Sequence, residues 1–213
     1  MNRPFLKAWL PTVLIVLALA VLWLAAAERG LTLNHQPFFF VALSAVIVTF
    51  MTVVEVPLQG DGLSMGYAAS LMVLLILGQP AHLLTAFIVI GAGGLFGGAI
   101  RAVWRARQAQ QSLNWEAPGW AIVASTQLIL SSAAGAWMYR TLNGLLPLSA
   151  LPLSTLPALI GLLAASMMVY IGIYTLALRW RGVDVARIFA DNRYAFWLAF
   201  LVPVPLMLAG DRT

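Results

Sequence analysis

The sequence predicts an all-α fold: a polytopic membrane helix bundle of six to seven transmembrane helices, forming a single transmembrane domain over residues 1–213. Three observations carry this. Hydrophobic residues make up 62% of the chain, against roughly 45–50% in soluble domains. Charged residues make up 9%, about a third of the usual share. The apolar residues fall into runs close to the ~20 residues that a helix needs to cross a bilayer, and these runs use most of the length.

Arg3 and Lys7 precede the first run, Ala8 to Ala27, which has Trp9 and Trp23 near its ends, where indole rings prefer the membrane interface. The run is too long for the core of a cleaved signal, so it reads as a retained helix. The second runs from Pro37 to Pro57. A polar turn follows at Gln59-Gly60-Asp61-Gly62, then a third run, Ser64 to Leu77. At 1.5 Å per residue that segment reaches only about 21 Å, short of the ~30 Å apolar core. The third span is therefore expected to be short or re-entrant, and irregular backbone at that depth needs protein or water beside it. The fourth run, Ala81 to Ile100, carries Gly93/Gly97 and Gly94/Gly98, two overlapping GxxxG pairs that let another helix approach closely. They serve packing inside one bundle, a dimer seam or the wall of a site.

Arg101 to Ala117 reads as a polar loop. The fifth span is Pro118 to Tyr139, with Gln127 in its middle, and Gln127 is expected to face the bundle rather than lipid. Leu145 to Pro157 reads as an apolar loop. The sixth span, Ala158 to Leu178, has Tyr170 and Tyr174 on helical spacing and expected in packing. Val183, Ile188 and Phe189 share one side of a short interfacial helix. A last apolar run, Tyr194 to Gly210, is bent by Pro203 and Pro205.

Basic residues set the orientation. With the N-terminus in the cytoplasm, Arg3, Lys7, Arg101, Arg105, Arg107, Arg179, Arg181, Arg187 and Arg193 fall inside, and Arg29, Arg140 and Arg212 outside. Nine against three is a positive-inside bias. The net charge of +5 is thus a topology signal, with no nucleic-acid partner implied.

Candidate ligand-binding residues cluster around the turn: Glu55, Asp61, Ser64, Tyr67 and, on the fifth span, Gln127. An ionisable group near membrane depth is a functional candidate by default. Glu55 could serve a proton relay, a cation site or a salt bridge to Arg101. His35, His82 and Arg140 are polar candidates at the outer face, the histidines as metal, haem or pigment ligands or as interfacial residues. The chain has no cysteine, which removes disulfides, thiol catalysis and cysteine-held clusters. Its sole lysine, Lys7, precedes the first span, so a retinal Schiff base within a helix is excluded. The glycine-rich run has no lysine or following Ser/Thr, so it is not a phosphate-binding loop. No metal site, cofactor or catalytic constellation is expected.

Glu55 to Leu95 resembles the N-terminal membrane regions of bacterial signalling proteins that precede HD-GYP phosphodiesterase, diguanylate cyclase or histidine kinase outputs. The resemblance rests on Pro57, Gly62-Leu63-Ser64-Met65-Gly66, the small and leucine-rich run Ala68 to Leu77, and Leu77-Gly78-Gln79-Pro80. Val183 to Leu208 is similar too, through Asp191-Asn192-Arg193 and the proline-bearing last run. It implies a sensory membrane module in the bacterial inner membrane. Residues 1–213 hold no output domain, so a stand-alone relative and a region of a longer signalling chain are both expected forms. The short third helix and small residues are also similar to substrate-binding subunits of energy-coupling-factor transporters. The expected function is a non-catalytic sensory or ligand-binding module in the bilayer, with a protein partner or a second copy of itself. Alternatives are a transporter's substrate-binding subunit and a structural subunit of a larger, pigment- or haem-bearing complex.

Overall fold

A computed structural model describes residues 3–29, 38–58, 61–77, 83–108, 116–144 and 155–192. Along these the chain forms α1 (Arg3–Arg29), α2 (Phe38–Val53), β1 (Glu55–Leu58), β2 (Asp61–Ser64), α3 (Gly66–Leu77), α4 (Leu83–Gln108), α5 (Glu116–Thr141), α6 (Leu156–Arg181) and α7 (Val185–Asp191). Among the described residues, α1, α4, α5 and α6 are long and apolar enough to cross a membrane, while α2 and α3 are shorter apolar helices. The protein is a helical membrane bundle. The expected last span, Tyr194 to Gly210, lies outside the described residues.

Close packing at glycine fixes the bundle. A Cβ on Gly93 or Gly97 would meet Val48 or Thr52 of α2, so α2 and α4 run parallel. A Cβ on Gly91, Gly94 or Gly98 would meet Ile129, Ser125 or Ala121 of α5, an order that makes α4 and α5 antiparallel. The two GxxxG pairs thus serve neighbouring faces of α4, one toward α2 and one toward α5, both within a single chain. Ser125 of α5 also donates to the Gly91 carbonyl at 2.7 Å, a bond possible only because the backbones are so near. α5 packs antiparallel on α6, and α1 lies against α5 with mostly lipid-facing residues such as Val16, Leu19 and Trp23.

α3 sits inside this frame. Ten of its twelve residues are buried, against α2, α4 and α5. Its length of about 18 Å cannot cross the ~30 Å core. Leu71, Leu74 and Leu77 are among the least exposed side chains of the protein and share one apolar cluster with Leu162 and Leu163 of α6.

Two sequence expectations change. Glu55 to Pro57, read as the end of the second span, and Ser64, read as the start of the third, lie instead in the strands of a β-hairpin around the expected polar turn, with Glu55 opposite Ser64, Val56 opposite Leu63, Pro57 opposite Gly62 and Leu58 opposite Asp61. Pro57 cannot continue α2, and both strands of a two-stranded ribbon are edges, where a missing N–H is tolerated. Among the described residues an otherwise all-α fold thus carries one small ribbon. Arg101 to Gln108, read as loop, is the last two turns of α4. Nothing there breaks a helix, and the guanidinium groups of Arg105 and Arg107 complement its C-terminal dipole. The short interfacial helix forms as α7: Asp184 Oδ1 accepts from the Ala186 and Arg187 N–H groups, and Ile188 is buried. α6 stops at Gly182, whose φ of 78° suits glycine.

Candidate functional site

The base of α3 gathers the polar residues of the bundle in two layers. In the inner layer Ser64 joins three elements. Its hydroxyl donates to the Thr52 carbonyl of α2 at 3.1 Å and accepts the Gly66 N–H at 3.1 Å, capping α3. The Met65 N–H closes the hairpin on the Val54 carbonyl at 3.0 Å. Tyr170 of α6 donates its hydroxyl to the Ser64 carbonyl at 3.2 Å. Tyr67 donates to the Leu163 carbonyl at 3.2 Å, and the two tyrosine rings lie 5.0 Å apart. Gln127 Nε2 donates to the Tyr170 carbonyl at 2.9 Å. α3 is therefore tied to α6 by reciprocal tyrosine bonds and to α2 by a serine.

Replacing either tyrosine hydroxyl removes a tie without opening a cavity. Tyr67→Phe and Tyr170→Phe are each expected to lower stability by about 1 kcal/mol, the net value of a hydrogen bond in a folded chain. Thermal melts in one detergent check this. No change for both would show that these bonds do not hold α3.

The outer layer is ionic. Glu55, at the start of β1, accepts from two arginines on successive turns of α4. Its Oε1 lies 3.2 Å from Arg101 Nε and 2.7 Å from Arg105 Nη2. The side chains are 24%, 17% and 38% exposed. Arg101 lies about 27 Å along α4 from Leu83, close to the edge of the apolar core.

Beside this clamp a narrow cleft runs between the basic C-terminal ends of α4 and α6 and the N-terminal part of α5. Arg101, Arg105, Trp120, Gln127, Tyr174 and Arg181 line it. The Arg181 guanidinium sits 5.0 Å from the centre of the Trp120 ring, a cation–π contact. Trp120 in turn packs on Trp180 at 5.4 Å. Gln127 is common to the inner layer and the cleft.

The structure thus brings Glu55, Ser64, Tyr67 and Gln127 into one region. The Asp61 backbone pairs with Leu58 at the far end of the hairpin, and its side chain lies outside the described residues. His35 and His82 also lie outside them. Arg140 stands in the last turn of α5, at the opposite end of the bundle. Among the described residues no three His, Cys, Asp or Glu side chains converge as metal ligands.

Sequence reasoning missed Tyr170 as the hub and Arg105, Trp120 and Arg181 as cleft residues. The signals were the i, i+4 spacings of Tyr170/Tyr174 and Arg101/Arg105. Burial of both layers needed the hairpin, which the sequence did not disclose.

No family model, no curated protein and no solved structure matches this chain.

Proposed function

We propose that the protein is a non-catalytic sensory or ligand-binding module of the bacterial cytoplasmic membrane. It has six or seven crossings, and its N-terminus and basic helix ends face the cytoplasm. A ligand or lipid state shifts the packing of the hairpin and α3, and the basic segments report the change to a partner. One observation carries this reading: α3 is too short to cross, has ten of its twelve residues buried, and hangs from a polar base. A buried element held by a few hydrogen bonds and one ionic clamp can take two positions. A ligand moves it only by binding one of them better.

A second reading is a substrate-binding subunit of a transporter. Its support is the break between α2 and α3, since discontinuous helices form the substrate sites of many transporters.

Native mass spectrometry after mild extraction tests both. The module reading expects a chain of 23.0 kDa carrying a small molecule or lipid. An assembly with ATPase subunits would replace it with the transporter reading. A chain free of ligand and of partners in every mild detergent would overturn both.

A further inference from the structure

We propose that an open apolar groove along the basic end of α4 is a binding site for one anionic phospholipid, with an acyl chain along Ile100 and Val103 and the headgroup phosphate on Arg107. This surface is separate from the base of α3, and a lipid would bind there whether or not that helix moves.

The groove follows from the register of α4. Ala99, Val103 and Arg107 succeed one another at intervals of four residues, and Ile100 and Trp104 form the neighbouring stripe. Among the described residues these five line it, four of them apolar. Ala99, Ile100, Trp104 and Arg107 are exposed. Gly91, Gly94 and Gly98 turn the other side of α4 to α5, and Arg101 and Arg105 turn to Glu55. The groove therefore faces outward, toward the bilayer. Its cavity volume is about 590 Å³, within the roughly 300–1,000 Å³ of sites that hold small organic ligands.

Depth and charge select the occupant. Ala99 lies about 24 Å along α4 from Leu83, and Arg107 about 36 Å. The groove thus straddles the edge of the ~30 Å apolar core, with Trp104 at the level where indole rings collect. Arg101 and Arg105 share Glu55, whereas Arg107 has no ion pair or hydrogen bond among the described residues. A free guanidinium at headgroup level, above apolar walls at acyl-chain level, matches a molecule that carries both a phosphate and a chain. The planar Arg fork takes two phosphate oxygens. A soluble phosphate would leave the apolar walls unfilled. A second copy docked twofold through this face would set Arg107 against Arg107, and like charges across an interface are costly.

The test titrates the full chain in detergent micelles with phosphatidylglycerol and with phosphatidylcholine of the same acyl chains, read by native mass spectrometry. One phosphatidylglycerol is expected to bind at least about fivefold tighter than phosphatidylcholine. Arg107→Gln is expected to weaken phosphatidylglycerol about tenfold, the effect of losing a charge-assisted bidentate pair, and to leave phosphatidylcholine unchanged. Trp104→Ala should weaken both lipids alike. Arg179→Gln removes an equally exposed charge from the same end of α6, away from the groove, and should stay within about twofold. Both groove residues are exposed, so the variants keep the fold, which a thermal melt checks. Equal affinity for the two lipids, or binding of neither, would overturn the site. An effect of Arg179→Gln as large as that of Arg107→Gln would overturn it too, in favour of a diffuse basic surface. A dimer mass that disappears in Trp104→Ala would give the groove to a second copy instead.

Discussion

Gly97→Ala is expected to lower the melting temperature of the purified protein sharply, while Gly172→Ala leaves it unchanged or raises it. A Cβ at Gly97 would stand 2.7 Å from the Thr49 carbonyl oxygen and 2.5 Å from Thr52 Cβ. The first neighbour is backbone, so α2 itself must back away, and α2 carries the hairpin. Overpacking of this kind costs about 1–3 kcal/mol. At Gly91 the nearest atom is the tip of Ile129, at 2.7 Å, which can rotate, so Gly91→Ala should cost less. Around Gly172 nothing lies within 4 Å, and alanine there removes the roughly 0.5–1 kcal/mol helix penalty of glycine. The expected order of destabilisation is Gly97, then Gly91, then Gly172. A dimer seam at Gly93/Gly97 would instead change the oligomeric mass while sparing the melt of the single chain, so light scattering beside the melt separates the two cases.

Glu55→Gln is the second large effect. The carboxylate neutralises two guanidinium groups at once, and removal leaves Arg101 and Arg105 facing each other across one turn of α4. Hydrogen bonds to charged groups are worth about 1.5–3 kcal/mol, and Glu55 at 24% exposure should lose an amount in that range. Arg105→Gln should cost less than about 1 kcal/mol, because Arg105 is the more exposed partner and Glu55 keeps Arg101. A double-mutant cycle between Glu55 and Arg101 should show coupling that persists at raised salt, since partly buried pairs are poorly screened. Equal small losses for all three variants would mean that the clamp does not secure the hairpin.

The bundle was legible because membrane helices announce themselves by length and apolar content. Those quantities placed α1, α4, α5 and α6 to within a few residues at most ends. The short third helix was legible from the same arithmetic. The hairpin was not, because Glu55 to Ser64 mixes a proline, two glycines and only three large apolar residues. Its strand order exists only as cross-strand register. The two extra turns of α4 were hidden because charge was read as loop, whereas here the charge pairs with Glu55. Glu55, Ser64 and Tyr67 could be singled out because each is a polar residue between apolar or small ones, and Gln127 because it is a large amide in the middle of an apolar span. Tyr170 escaped because a tyrosine on a helical stripe looks like packing, and its role depends on a carbonyl more than a hundred residues away.

Solvent access to Ser70, at the centre of α3, tests the repacking of that helix most directly. Ser70 is fully buried, and the chain has no native cysteine to confuse labelling. Ser70→Cys would be reacted with a small maleimide in native membranes, and again after purification into phosphatidylcholine vesicles free of the native ligand. Ser131→Cys, equally buried on α5, is the rigid reference. Repacking of α3 predicts that Ser70→Cys reacts at least about tenfold faster in the stripped vesicles than in native membranes, while Ser131→Cys stays unreactive in both; opening of a locally stable element with a few kcal/mol between its states gives rates of this order. Equal and negligible labelling of both positions in both settings would contradict it, and would make α3 a fixed part of the core.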